Sequence, residues 1–127
     1  MARQMDEIGR WLYLSPHFDD VALSCGGMVA QQAAKGWLVE VATVFAAGPA
    51  QGAELSAFAR WQHQRWGASE EAVQRRGEED AAALARLGAR AHRLPFPDAV
   101  YRGSQYTSDE ELFGEVASAD ERLRWPA

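Results

Sequence analysis

The stretch that most constrains the fold spans residues 12–27 and reads LYLSPHFDDVALSCGG, an apolar run followed by a polar tip and a small-residue segment. Residues 12–14 predict a short buried strand, which ends by Pro16 because proline cannot donate to a central ladder. A helix is expected over residues 21–34, since a lysine and a glycine follow as stop signals. Residues 37–45 are rich in β-branched and aromatic side chains and predict the strongest strand. Two strands joined by one helix form a βαβ unit, whose crossover is almost always right-handed.

The rest of the chain continues the alternation of helix and strand. Apolar spacing predicts helices over residues 54–66 and 69–88, followed by a short strand over residues 91–94. Ser69, followed by two glutamates, is expected to begin the second of these helices. Ser108 and a glutamate three residues later form a capping box, which predicts a helix reaching about residue 116.

This pattern favours the α/β class, with a Rossmann-like doubly wound, mostly parallel sheet and flanking helices. A chain of 127 residues accommodates one domain, so residues 1–127 are assigned to a single domain. Three strands are fewer than such sheets usually contain. We therefore expect a partial domain, truncated on its C-terminal side.

Composition excludes several classes of protein. The net charge of −5 gives no basic patch for a nucleic-acid partner. The sequence contains no apolar run long enough for a membrane span and no signal-peptide core at its N-terminus. The single cysteine rules out an internal disulfide and suits a reducing compartment. We expect a cytoplasmic protein, and the oligomeric state stays open.

The polar tip carries the residues best suited to chemistry. His17 offers an imidazole nitrogen and Asp20 a carboxylate oxygen, which are both common zinc ligands. A turn from strand into helix allows the two to converge, and leaves Asp19 close enough to take a proton from a water activated by the metal. A simpler interpretation is a solvated turn in which an aspartate caps the following helix. The first interpretation predicts metal-assisted hydrolysis at the carboxyl end of the first strand.

The segment SPHFDDVALSCGG resembles the signature of the LmbE-like deacetylases, also called the PIG-L or N-acetylglucosaminyl-phosphatidylinositol de-N-acetylase family. A subgroup of that family carries Ser-Pro-His-x-Asp-Asp. The resemblance implies an enzyme dependent on Zn²⁺, or another divalent metal, that removes acetyl groups from N-acetylglucosamine-type sugars or their conjugates. It assigns His17 and Asp20 as metal ligands and Asp19 as the general base. Phe18 and Val21 depart from the usual motif, which has Pro and Glu at these positions.

Two further segments resemble the same family. Arg76 precedes a glutamate by three residues on the helix that leads to a Leu-Gly turn, and the resemblance implies that it binds substrate. A Leu-x-x-Pro-Asp segment ends at Asp98, which the resemblance also assigns to substrate binding. The alternatives are an ordinary charged helix face for Arg76 and a Pro-initiated turn for Asp98.

The third metal ligand is the incomplete part of the predicted site. The family uses a histidine late in the chain, whereas no histidine follows His92 here. His63 is a candidate, but we expect it to face solvent, and His92 is expected to be a core or edge histidine of a strand. With two ligands, metal affinity should be weak. The alternative functions are therefore an inactive fragment and a non-catalytic α/β module that binds a sugar or a nucleotide.

Overall fold

The structure is a computed structural model that describes residues 9–50, 52–65, 71–103 and 105–120. Its secondary-structure elements follow the order β-α-β-α-α-β, with two short helical segments after the last strand. The elements are β1 (Arg10–Ser15), α1 (Asp20–Ala34), β2 (Leu38–Thr43), α2 (Ala57–Arg65), α3 (Ala72–Arg86), β3 (Arg90–Arg93), a 3₁₀ turn (Ala99–Tyr101) and α4 (Asp109–Leu112). None of the helices in this described part of the chain has the length and apolarity required to cross a bilayer.

The three strands form one parallel sheet in the order β1-β2-β3. Tyr13 lies opposite Val41, and Val41 lies opposite Ala91, which fixes the register across all three strands. Because the strands are parallel, their carboxyl ends meet at one edge of the sheet. The predicted α/β class, with a parallel sheet and flanking helices, is confirmed.

The hydrophobic core lies between one face of this sheet and the helices α1 and α3. Val39 and Val41 project from β2 into a cluster with Val29 of α1 and Leu84 of α3. Residues two apart on a strand share a face, so these valines define the covered side of the sheet. Tyr13 on β1 packs against the same cluster and donates its hydroxyl hydrogen to Gln32 Oε1 at 2.7 Å.

Glycine allows α1 and α3 to approach closely. A Cβ at Gly26 on α1 would lie 3.4 Å from Leu87 Cδ1, just beyond the end of α3. Gly88 then adopts a φ of +85°, and a Cβ there would lie 2.6 Å from the Cβ of Ala33. Any other residue at position 88 would combine an unfavourable backbone conformation with a steric clash.

The expectation that the first strand is buried is wrong for its leucines. Leu12 and Leu14 are 63% and 67% exposed, respectively. They alternate with Tyr13, so they lie on the face of the sheet opposite to α1 and α3. Both crossover helices cover the same side, and burial therefore follows the face of the strand and not its apolar content.

The remaining differences concern element boundaries. The second strand ends at Thr43, two residues before the predicted end, because the chain after it forms the loop that borders the site. The capping box at Ser108 is present, since its hydroxyl oxygen accepts the backbone N–H of Glu111 at 3.3 Å, but α4 ends at Leu112. Ser69, the expected start of α3, lies outside the described residues.

The same substitution on the two sides of the sheet should have different effects. Leu84 is fully buried, so we expect Leu84→Ala to lower the free energy of unfolding by about 2–5 kcal/mol. Leu14→Ala should change it by no more than about 0.5 kcal/mol, because Leu14 is already exposed. Urea unfolding followed by circular dichroism measures both variants. Equal losses of stability would contradict the described placement of the core.

Candidate active site

The carboxyl ends of the three strands bring together segments that are distant in the sequence. Beyond β1 and β2, the backbone N–H of Val44 donates to Ser15 O at 2.8 Å and that of Phe45 donates to Pro16 O at 3.0 Å. An isolated bridge pairs Phe45 with Pro95, and another pairs Ala47 with Pro97. Pairing therefore continues past the strands and places the loops after β1, β2 and β3 side by side.

His17 is held at this edge through both its backbone and its ring. The buried Ser15 donates its hydroxyl hydrogen to the carbonyl oxygen of His17 at 2.7 Å. The ring nitrogen Nε2 lies 3.0 Å from Asp98 Oδ2, in the loop after β3. The imidazole also packs against the ring of Phe45, with 5.5 Å between ring centroids. These contacts leave Nδ1 directed toward Asp20.

His17 and Asp98 shift each other's ionisation. The hydrogen bond that the imidazole donates to Asp98 raises the pKa of His17 above 6.5, and this effect outweighs the opposing effect of burial. Burial alone would raise the pKa of Asp98. This effect is outweighed by the hydrogen bond from His17 and by its positive charge. The backbone N–H groups of Val100 and Ala99 add to them, so the pKa of Asp98 lies below 3.8. Both shifts favour the charged form of each partner.

Asp20 completes a pair of potential metal ligands. Its Oδ2 accepts the backbone N–H of His17 at 3.0 Å and lies 3.8 Å from His17 Nδ1. Both side chains are about half exposed. The donor types fit a divalent metal, and a carboxylate on the other imidazole nitrogen is the usual partner of a metal-binding histidine. In the described part of the chain, no three His, Cys, Asp or Glu side chains form a metal-binding group.

Asp19 adopts a left-handed backbone conformation. Its φ is 71° and its ψ is −17°, and no other non-glycine residue in the described ranges has a positive φ. This conformation costs roughly 1–2 kcal/mol for a residue with a Cβ. Asp19 occupies the N-cap position of α1, but its side chain makes no capping hydrogen bond. The simpler interpretation, in which an aspartate at the tip caps the helix, therefore does not describe Asp19.

Asp80 of α3 contacts this tip and was missed by the sequence analysis. Its Oδ1 accepts the backbone N–H of Asp19 at 2.9 Å, although Asp80 is only 4% exposed. Burial and the nearby charge of Asp19 raise the pKa of Asp80, while the bond from the Asp19 N–H opposes that shift. A sequence signal existed, because Asp80 shares the buried face of α3 with Gly77 and Leu84. A carboxylate within an apolar stripe needs a partner.

Arg76 and Asp98 border the same small cavity. It has a volume of about 40 Å³, close to that of one water molecule, and its lining includes His17, Phe18 and Tyr101. Tyr101 also borders a neighbouring open groove of about 400 Å³, which is within the size range of small-molecule sites. Val100 and Tyr101 line both the cavity and the groove.

The structure places His63 and His92 away from the His17–Asp20 pair. His63 is 6% exposed, so the expectation that it faces solvent is wrong. It is buried because α2 packs against the 3₁₀ turn, where its Nε2 forms a hydrogen bond with the Tyr101 hydroxyl. Burial raises the pKa of Tyr101 to about 12. His92, expected to be a core or edge histidine, is exposed on β3 at one edge of the three-stranded sheet, and its Nε2 lies 3.0 Å from Glu40 Oε1.

A buried ion pair supports the loop that carries Asp98. Arg102 donates through Nε to Asp120 Oδ2 at 2.9 Å and through Nη1 to the carbonyl oxygen of Pro97 at 2.8 Å. Tyr106 donates a second hydrogen bond to Asp120 Oδ2 at 2.9 Å. Nothing in the local sequence pattern indicates that Arg102 and Asp120 meet, so neither residue was predicted to support the site.

Comparison with protein families identifies relatives with a common chemistry. The sequence profile of the PIG-L family, described as GlcNAc-PI de-N-acetylase, matches residues 12–123. The 2'-N-acetylparomamine deacetylase of Niallia circulans is 31% identical over 131 aligned positions, covering 91% of this chain and 48% of the relative. The chain therefore spans about half the length of this curated relative.

Two solved structures that resemble this chain are also deacetylases. The A40926 pseudoaglycone deacetylase Dbv21 is 43% identical and has a TM-score of 0.67, over 76% of this chain and 40% of that protein. The zinc-inhibited form of teicoplanin deacetylase Orf2 is 40% identical and also has a TM-score of 0.67, over 73% of this chain and 35% of that protein. Both similarities cover less than half of the solved protein.

The His17–Asp98 pair predicts a pH dependence in the metal-free chain. Because Asp98 raises the pKa of His17, the pair stabilises the fold fully below 6.5, and this contribution is lost as the pH rises through the raised value. The lowered pKa of Asp98 keeps the pair charged down to below 3.8. With EDTA present, Asp98→Asn should return the His17 pKa toward 6.5 in an NMR titration.

Asp98→Asn should also lower the Tm more at about pH 5.5 than at about pH 9, because the ion pair is lost as the pH rises through the raised pKa of His17. Asp109→Asn is the matched control, since Asp109 is paired with Arg65 and makes no contact with His17. An unchanged His17 pKa in Asp98→Asn would contradict the described pair.

Proposed function

Because the chain belongs to the PIG-L, GlcNAc-PI de-N-acetylase, family, we propose that it is a metal-dependent hydrolase that removes the acetyl group from an N-acetylated amino sugar or its conjugate. The observation that carries this proposal is the arrangement at the end of β1. The half-exposed side chains of His17 and Asp20 lie 3.8 Å apart, from Nδ1 to Oδ2. Asp98 orients the imidazole through its other nitrogen, Nε2.

His17 and Asp20 are the proposed metal ligands. His17 offers Nδ1, because Asp98 occupies Nε2 at 3.0 Å. Asp20 keeps Oδ1 in addition to the Oδ2 that accepts the His17 N–H. A divalent metal such as Zn²⁺, when bound, lowers the pKa of water and polarises a carbonyl group. The contacts from Ser15 and Asp98 hold the histidine ready for this role, so little reorganisation is needed on binding.

Asp19 is the proposed general base. Its carboxylate would take a proton from the attacking water and then deliver it to the nitrogen of the leaving amine, which requires that proton to depart. The position next to Asp20 supports this role, since a base must lie within about one hydrogen bond of the proton that it moves. The left-handed backbone at Asp19 also supports it, because strained residues persist where surrounding contacts fix them and often occur at active sites.

Arg76 and Asp98 are the proposed substrate-binding residues. Both line the small cavity with His17, and that cavity has room for little more than one water-sized group. We place the water-sized methyl group of the acetamide at this cavity and the remainder of the sugar conjugate along the larger groove that Tyr101 also lines. The named relatives act on 2'-N-acetylparomamine, teicoplanin and the A40926 pseudoaglycone, which supports a conjugated amino sugar as substrate.

Acetate release tests the proposed reaction. The purified chain, supplied with Zn²⁺ or Co²⁺, should release acetate from an N-acetylglucosaminyl conjugate. Asp19→Asn removes the proton acceptor while it keeps the size of the side chain, so kcat should fall by about 10²–10⁴-fold. Glu78→Gln is the matched control, since Glu78 is an exposed carboxylate that accepts a hydrogen bond from Gln74 on the same helix. Full activity in Asp19→Asn would refute its role. Sugar binding without acetate release would favour the non-catalytic alternative.

Zinc affinity is a separate prediction. Two protein ligands are fewer than the three that catalytic zinc sites usually have, so this chain should bind Zn²⁺ weakly. His17→Ala and Asp20→Ala should each abolish the binding seen by isothermal titration calorimetry. His92→Ala, which changes an exposed histidine on the strand β3, should leave it unchanged. Tight stoichiometric binding that survives His17→Ala would contradict the assignment.

A further inference from the structure

The backbone at Asp19 depends on a contact from a distant helix. Asp19 has a φ of 71°, which an aspartate adopts rarely, yet its side chain makes no capping bond that would fix this conformation. The contact that constrains it is a hydrogen bond, which the backbone N–H of Asp19 donates to Asp80 Oδ1 at 2.9 Å. Asp80 lies in the middle of α3, 61 positions later in the chain.

Asp80 is well placed to act as a fixed acceptor. Asp80 is nearly fully buried, so its carboxylate cannot exchange its protein partner freely for water. Gly77 lies one turn earlier on the same face of α3, where a Cβ would come within 2.7 Å of Arg93 Cζ. The Arg93 guanidinium in turn lies 5.7 Å from the ring of Phe18. Asp80 of α3 and Arg93 of β3 therefore contact the loop at two consecutive residues, Asp19 and Phe18.

We propose that Asp80 is a positioning residue that holds Asp19 in its left-handed conformation and thereby sets where α1 begins. This inference rests on the proposed function only in assigning a catalytic purpose to Asp19. Asp80 itself is not a catalytic residue, because its contact is with a backbone N–H.

The backbone conformation of Asp19 determines where α1 begins. A left-handed residue before Asp20 ends the loop abruptly, so the helix starts at Asp20 and the carboxylate of Asp20 reaches back to the N–H of His17. If Asp19 relaxed to the right-handed region, the helix could begin one residue earlier. Each helical residue turns the next side chain by about 100°, so such a change would reorient Asp19 relative to His17 and Asp20. Asp80 prevents this by offering an acceptor only at the observed N–H position.

Two substitutions at one site separate this role from general stability. Asp80→Asn keeps an acceptor oxygen in the same place, whereas Asp80→Leu keeps the branched shape of the side chain and removes the acceptor. Leu84→Ala is the matched control, because it damages the buried face of α3 one turn later without touching the loop. Should Asp80→Leu not fold, Asp80→Ala gives the same comparison with room for water.

The first readout needs no enzymatic activity. Hydrogen exchange of the Asp19 amide, followed by NMR on the full chain, should be faster in Asp80→Leu by about tenfold or more relative to the global exchange of the same variant. Asp80→Asn and Leu84→Ala should keep the relative protection of the Asp19 amide. The three-bond HN–Hα coupling of Asp19 should leave its left-handed value only in Asp80→Leu.

The second readout is kinetic. In a chain that releases acetate, Asp80→Leu should lower kcat by about 10²-fold, as expected for a misplaced base, with a smaller effect on KM. Asp80→Asn should recover most of kcat. The proposal is overturned if Asp19 keeps its protection and coupling in Asp80→Leu, or if Asp80→Asn behaves like Asp80→Leu. It is also overturned if the Asp19 backbone changes and kcat does not.

Failure of the proposed function would look different from these outcomes. In that case the unsubstituted chain releases no acetate, while the exchange and coupling of Asp19 still show whether Asp80 holds its backbone. The two conclusions therefore stand or fall on separate measurements.

Discussion

Parallel pairing of the three strands is the constraint on which the site depends. Because β1, β2 and β3 run in the same direction, the loops that follow them emerge at one edge. Backbone bonds continue beyond the strands, from Phe45 to Pro16 and through the bridge between Ala47 and Pro97. The loop after β3 is thereby fixed beside the loop after β1, and Asp98 reaches the His17 ring. Without that alignment, the imidazole would have no carboxylate on Nε2.

A second layer of contacts fixes His17, Asp19 and the loop that carries Asp98. The Ser15 hydroxyl holds the carbonyl oxygen of His17, and Asp80 holds the N–H of Asp19. The buried pair of Arg102 and Asp120 holds the loop ahead of Asp98 through the carbonyl oxygen of Pro97. These supports come from four different parts of the chain. Such support is what a catalytic site needs, since small errors in the position of a reacting group reduce the rate strongly.

The geometry also distinguishes between the functions considered. A plain capped turn would have Asp19 in an extended conformation with its side chain bound to the helix, whereas its φ is positive and that bond is absent. An anion site at the start of α1 would bring a phosphate next to Asp20, a half-exposed carboxylate. The first feature argues against a plain capped turn, and the second against an anion at the tip. The family assignment and the deacetylases among its relatives point in the same direction.

The sequence by itself determined the three strands, the main helices and the grouping of His17, Asp19 and Asp20 at the end of a strand. These follow from local pattern, because strand and helix propensities and stop signals act over a few residues. Tertiary structure alone decided that Leu12 and Leu14 face away from the core, that His63 is buried against Tyr101, and that Asp80 and Asp98 bind the tip. Each of these depends on which distant segments are brought together. Distant segments are brought together by strand pairing and by the packing of the crossover helices on one side of the sheet. No short stretch of sequence encodes either of these.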